Sequence, residues 1–314
     1  MTTVDAGSKA TASTVAGGAA PATRTPPPSA PPPAAGPGPL RMAGAIATLL
    51  VLFAAGFFVY LYGLSHVSEA RAQSAMFKNF VAQLQLGTAP VTPYPAGQNS
   101  PPLAEKTPVA VLNIPQIGLR DVVVVEGTSS PDLTLGPGHV PASALPGQAG
   151  VSFIYGKVAT YGAPFAHLMR LNRGDRFTVT TGQGTATYVV ESFGTSASPA
   201  PADADNRLVL ETAASSFLPG SAVQVSADLV SAPQANPGDW PPIPAQDSDM
   251  AIDAADSLVP LMLWSQALLL AVIAATIAAH RWSRWGTYLL MAPVVMALLW
   301  CVYENLAGLL PNLY

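Results

Sequence analysis

The pattern of hydrophobic and polar positions changes character several times along the chain. Residues 43–64 run for 22 positions without a charge. A helix of that length rises about 33 Å, enough to cross the hydrocarbon core of a bilayer. Tyr60 and Tyr62 stand near its far end, where interfacial aromatics collect. Beyond it, Val67, Ala70, Ser74, Phe77, Val81 and Leu84 recur at spacings of three and four, with Glu69, Arg71 and Lys78 between them. That period predicts a helix over 66–86, ended by Gly87. From 109 to 230 the period shortens. Runs rich in β-branched residues at 109–114, 122–125, 151–155, 177–180, 185–190, 208–210 and 222–229 alternate with Gly and Pro signals. Many short strands at such spacing predict an all-β barrel or sandwich of about one small domain. Two further apolar stretches, 258–279 and 286–303, are also long enough to span a membrane.

Composition supports this division. Half of the 314 residues are hydrophobic and only 10% are charged, against about 25% in a soluble domain. Of the 32 prolines, 20 fall in three segments, 1–41, 88–108 and 231–257. Residues 1–41 are Ala, Thr, Pro, Gly and Ser with two proline triplets, 26–28 and 31–33, a composition that cannot offset its ordering entropy. It reads as a solvated leader, with a ligand for a proline-binding domain as the sharper alternative. Residues 88–108 and 231–257 read as proline-rich linkers, the second one acidic but without the spacing of a calcium loop. A retained anchor over 42–65 is favoured over a cleaved signal peptide, because the apolar run is long and the leader before it exceeds the usual length. The net charge of −4 offers no footprint for nucleic acid. Cys301 is the only cysteine and lies in the last apolar stretch, so no intramolecular disulfide forms.

Charge also predicts sidedness. The leader carries Lys9, Arg24 and Arg41 against Asp5, and the loop 280–285 carries Arg281 and Arg284 with no acid. Segment 66–256 holds 9 Lys/Arg and 16 Asp/Glu, a balance of −7. Basic residues near spans mark the cytoplasmic side. The expected topology is three passes, with the N-terminus cytoplasmic and residues 66–257 outside.

Several short motifs lie in order over 109–230: Ala110-Val111-Leu112-Asn113-Ile114-Pro115-Gln116-Ile117-Gly118-Leu119, Val125-Glu126-Gly127-Thr128, Leu135-Gly136-Pro137-Gly138-His139-Val140-Pro141, Thr160-Tyr161-Gly162-Ala163-Pro164-Phe165 and Leu171-Asn172-Arg173-Gly174-Asp175. Together they resemble a sortase domain, closest to the class E type of high-GC Gram-positive bacteria. The resemblance implies a closed sortase-like β-barrel with short helices, and a chemistry in which a cysteine thiolate attacks a peptide carbonyl, a histidine exchanges a proton and an arginine steadies the oxyanion. Carried over position by position, it equates Lys157 with the histidine, Ala213 with the cysteine and Ala222 with the arginine. Lys157, Glu211, Tyr161 and His139 are the candidate groove residues, and Lys157 and Glu211 are expected to pair across the cleft. His139 and His167 lie in turns without an acid or cysteine at metal-ligand spacing. No cofactor or metal is implied.

The expectation from these replacements is a barrel that is not an enzyme but a binding or scaffolding module at the cell envelope. Its partner would be a membrane or envelope protein, an active sortase, or a sorting-signal-like peptide. Two alternatives stand beside it. One is a cysteine-independent peptidase or transpeptidase using Lys157 with Ser215, Ser216 or Ser221. The other is a structural subunit whose helices, with small residues such as Ala271, Ala274, Ala275 and Ala278, make the contacts.

Overall fold

A computed structural model of the chain describes residues 39–93, 103–141, 143–195, 206–214, 221–237, 254–281, 284–310 and 313. The chain divides into two compact units, residues 1–49 and 50–314. The expected leader and most of both expected linkers lie outside the described residues, and of the first unit only the start of helix α1 is described.

Helix α1 (Pro39–Val59) passes through a π-helical turn, Tyr60–Leu64, straight into α2 (Ser65–Leu86). Gly87, at φ 66°, closes α2 in the left-handed conformation that only glycine adopts without strain. The expected helix over 66–86 is thus present, but it does not stand free. Phe80 is fully buried against Val111 and Val123 of the barrel wall, with Met76, Phe77 and Leu84 beside it.

The barrel has eight strands. These are β1 (Pro108–Ile114), β2 (Leu119–Glu126), β3 (Gly138–His139), β4 (Val151–Tyr155), β5 (Arg176–Thr181), β6 (Gly184–Thr195), β7 (Arg207–Ala213) and β8 (Ala222–Leu229). They close in the order β1-β2-β3-β4-β7-β8-β6-β5, with β5 returning to β1. Two pairings are parallel, β2–β3 and β4–β7, and the others are antiparallel. All seven strands expected from β-branched runs are found. The eighth, β3, has two residues and no β-branched side chain. It exists only because β2 and β4 approach from either side, so no local signal announces it.

Between β2 and β3 lies the single-turn helix α3 (Ser130–Leu133), opened by a capping box of Ser129 and Asp132. Inside the barrel, Leu112, Ile114, Ile154, Phe177, Leu210 and Val225 belong to one buried core. Phe177 and Tyr188 stack at 5.6 Å between centroids. Side chains alternate along a strand, so Ile154, Leu210 and Val225 point inward while Tyr155, Glu211, Ala213, Ala222 and Gln224 share the outer face. That outer face is nevertheless buried, which means something covers it.

After the barrel come α4 (Ala254–Arg281) and α5 (Arg284–Ala307). Three helices of the described chain, at 42–86, 258–281 and 285–307, are long and apolar enough to cross a membrane.

Candidate functional site

The three positions equated in the sequence converge. Ala213 and Ala222 are direct register partners at the ends of β7 and β8. On the other side of β7, Tyr155 of β4 pairs with Glu211, so the chain reaches Lys157 two residues further on, level with Ala213. Gly156 makes this end of β4 possible. A Cβ on it would lie 2.4 Å from a carbon of the Phe165 ring. Phe165 can therefore fold back over Gly156, and its N–H donates to Lys157 O at 3.2 Å. Thr212 adds a bond from Oγ1 to Gly156 O at 2.7 Å.

Lys157 is 1% exposed. Burial lowers its amine from the usual lysine range to about 7, because a desolvated environment disfavours the charged form. Its Nζ lies 5.8 Å from the centroid of the Tyr161 ring, within reach of a cation–π contact. On the neighbouring strands, Gln224 Nε2 donates to Glu211 Oε2 at 2.9 Å. Gln224 and Glu211 are themselves register partners, and the amide supplies the buried carboxylate with a donor. Beside these polar groups the outer face is apolar. Leu133 of α3, Tyr155, Ala213, Ala222 and Leu313 form one buried cluster, with Val140, Phe153 and Val158 packed against it.

Tyr161 belongs to a second cluster, with Tyr60, Leu61, Tyr303 and Ala307. Its backbone N–H donates to Ser65 Oγ at 3.2 Å, and its hydroxyl lies 3.3 Å from that of Tyr60. The loop carrying Lys157 at one end thus rests on the helices at the other. His167 is exposed. Ser215 and Ser216 lie outside the described residues, while Ser221 is exposed at the start of β8 and its carbonyl accepts from Ala214 N–H at 2.8 Å.

His139 takes part in an array that sequence reading did not find. Its Nδ1 lies 2.8 Å from Glu126 Oε2, and its Nε2 lies 2.9 Å from Ala144 O and 3.0 Å from Ser143 Oγ. All three side chains are buried. A serine, histidine and carboxylate in this order suggest a catalytic triad, but the protons run the wrong way. A carbonyl only accepts, so the bond to Ala144 assigns a proton to Nε2 and leaves it no lone pair for Ser143. Ser143 in turn donates to Val140 O at 2.8 Å and accepts from Phe153 N–H at 3.2 Å. Burial alone would lower the His139 pKa, but the Glu126 charge and the bonds to Glu126 and Ala144 outweigh it and raise the value. His139 thereby ties β2, β3 and the 143–144 turn together. The only early signal was the pair Glu126 and His139 within two of the sequence motifs, and their register pairing became visible only with the parallel β2–β3 contact. Among the described residues no group of three or more His, Cys, Asp or Glu gathers as metal ligands do.

Residues 112–214 match the family model of the sortase domain. No curated protein matches the chain. Among solved structures similar to it is sortase E from Streptomyces avermitilis, at 29% identity over 41% of this chain and 91% of that one, with a TM-score of 0.36. A sortase D5 transpeptidase from Clostridium perfringens is 17% identical over 51% of this chain and 99% of that one, with a TM-score of 0.40. A sortase C from Clostridium perfringens, solved with the C-terminal cell wall sorting motif, is 19% identical over 52% of this chain and 91% of that one, with a TM-score of 0.37. The match corrects one expectation, that the barrel is not an enzyme. The matched family is one of transpeptidases, and nothing in the described residues shows this member to be catalytically dead. The residues at 157, 213 and 222 bear on which groups would act, not on whether any act. With its closed eight-stranded barrel and the match over 112–214, the chain carries a sortase domain.

Proposed function

We propose that this chain displays its sortase domain on the outer side of a membrane and there recognises an extended, sorting-signal-like peptide, as a binding or scaffolding module of the cell envelope. The observation that carries this reading is the outer face of β4, β7 and β8, where an apolar patch that includes Ala213 and Ala222 lies beside the backbone N–H of Val158. An extended peptide needs a main-chain donor for its carbonyl and a pocket for a side chain. The outside placement is supported by charge. The basic leader and the Arg281–Arg284 loop flank the spans on one side, and the acid-rich segment 66–256 lies on the other. It is also supported by α5, whose last turn packs with Tyr60 and Tyr161 in one cluster, so that both helix ends adjoin the barrel.

The test is photo-crosslinking in living cells with a benzophenone amino acid at Val158, compared with the same group at His167, an exposed residue outside the patch. The expected result is a set of adducts unique to position 158 whose crosslinked segments are extended and carry an aliphatic side chain at the point of capture. Identical capture from both positions rejects peptide recognition at this face.

A second reading, acyl transfer without cysteine, is favoured by the amine of Lys157, which burial brings to about 7 just past the end of β4, the parallel neighbour of the strand β7 that Ser215 and Ser216 follow in sequence. A neutral amine at that place is able to take a proton from a serine hydroxyl. A fluorophosphonate probe that labels one of these serines in the native chain, and fails to label the Lys157→Met variant, assigns this chemistry. Equal labelling of both chains removes the lysine from it.

A further inference from the structure

The face described above already holds a piece of the chain. Leu313, six residues past the end of α5 at Ala307, is fully buried. It shares one apolar cluster with Leu133, Tyr155, Ala213 and Ala222, and its carbonyl accepts from Val158 N–H at 3.1 Å. A main-chain bond and a seated aliphatic side chain are the two contacts by which a sheet holds an extended ligand. Ala213 and Ala222 leave room for that side chain, since they are register partners across β7 and β8, both lie in its cluster, and a longer side chain at either place would take up that space.

The segment is delivered by its anchorage. Tyr303 Oη donates to Phe53 O at 2.8 Å, and Tyr303 and Ala307 are buried against Tyr60 and Tyr161. The end of α5 is thereby held next to the loop that begins at Lys157. Gly308, Leu309 and Leu310 continue the end of α5 as a turn, with N–H groups donating to Glu304 O, Leu306 O and Ala307 O. Leu313 follows only six positions after Ala307, and so short a connection imposes an effective concentration on the order of millimolar.

We propose that the segment after α5 is a tethered occupant of the β4–β7–β8 face, with Leu313 in the apolar cluster and its carbonyl on Val158, so that a peptide in trans binds only when the segment leaves. This rests on the reading that the face takes peptides, and it adds that access is controlled by the chain itself. The consequence is an affinity reduced by the fraction of time the face is open. A segment seated about 99% of the time weakens the apparent affinity about 100-fold.

The experiment uses the full chain in lipid nanodiscs, a variant ending at Gly308, and Leu313→Asp, which keeps the length and places a charge in the apolar cluster. Two quantities are read: amide hydrogen exchange at Val158, and fluorescence anisotropy of a labelled peptide with the sequence of residues 308–314. In the native chain Val158 exchanges slowly and the peptide binds weakly. In both variants Val158 exchanges at least about tenfold faster, the peptide binds at least about tenfold tighter, and added peptide restores slow exchange. The amides of Leu208 and Leu210 in β7 stay unchanged and report that the barrel is folded. Fast exchange at Val158 in the native chain, or equally slow exchange in all three, overturns the proposal. Equally tight peptide binding by all three chains overturns it too, while leaving peptide recognition standing. Faster exchange in the variants with no peptide binding in any chain overturns the competition, and it counts against peptide recognition at the same face.

Discussion

Two buried basic side chains, Lys157 and His139, show how burial acts in opposite directions according to the partners it supplies. Lys157 has lost its water and is pushed down to about 7 from the ordinary 10.5. A depressed lysine lowers the stability of the fold wherever the unfolded chain is protonated and the folded one resists it. Stability therefore climbs as pH rises from about 7 to about 10.5 and is flat below that window. In Lys157→Met this climb, roughly a few kcal/mol, disappears. Denaturant-dependent amide exchange of the barrel strands measures it, whereas tryptophan fluorescence does not, because all five tryptophans lie outside 109–230. His139 is the opposite case. Its folded pKa is raised, so its contribution is complete below about 6.5 and is lost as pH climbs through the raised value. Removing one member of a buried ion pair costs about 3–5 kcal/mol. Glu126→Gln is expected to lose an amount of that order, read from the exchange of the β3 and β4 amides, and to abolish the loss of stability above pH 6.5 that His139 causes.

At the scale of elements, one amide adds hydrogen bonds to the apolar contact by which Phe80 of α2 packs on the barrel. Gln73 Nε2 donates to Val123 O at 3.0 Å and to Leu135 O at 2.7 Å, and its Oε1 accepts from Val123 N–H at 2.8 Å. Strand β2 pairs with β3 only at Val125 and Glu126, so Val123 would otherwise present an open edge there. Gln73 closes that edge as a third strand would. Gln73→Leu leaves these backbone groups without the amide, and each buried unsatisfied group costs about 1–3 kcal/mol. The expected outcome is faster exchange at Val123 with unchanged exchange in β7, because the inner core does not depend on the contact. Neither Gln73 nor the two-residue β3 was legible beforehand. A single glutamine on a helix carries no periodic signal, and a strand of two residues is defined by its neighbours. The other seven strands were legible because β-branched residues concentrate where a pleated surface is half-buried.

At the scale of the molecule, the helices and the barrel share one seam. The turn Tyr60–Leu64 is π-helical where α1 passes into α2. The loop from Lys157 to Phe165 rests there through Tyr161, and Trp300 of α5 meets Tyr60 edge-on at 5.2 Å. The barrel and the membrane-compatible helices are thus joined through a few aromatic side chains, and Leu313, past the end of α5, packs against Ala213 and Ala222 on the outer face of β7 and β8. The resemblance to sortases was legible in the motifs, and the family match over 112–214 bears it out. The conclusion drawn from three replaced residues, that no enzyme remained, was not secure. A substitution at a matched position changes the groups on offer, while the fold and its groove persist.

The amino-acid sequence by itself determined the apolar stretches, the strands rich in β-branched residues, the family of the barrel and the side chains at 157, 213 and 222. These follow from local composition, period and motif order. Only the tertiary structure decided that buried His139 is held by Glu126, that Gln73 closes the edge of β2, and that Leu313 packs against Ala213 and Ala222. Each of these joins residues between 13 and 100 positions apart. No local pattern encodes such contacts, since they arise from burial after the chain has closed on itself.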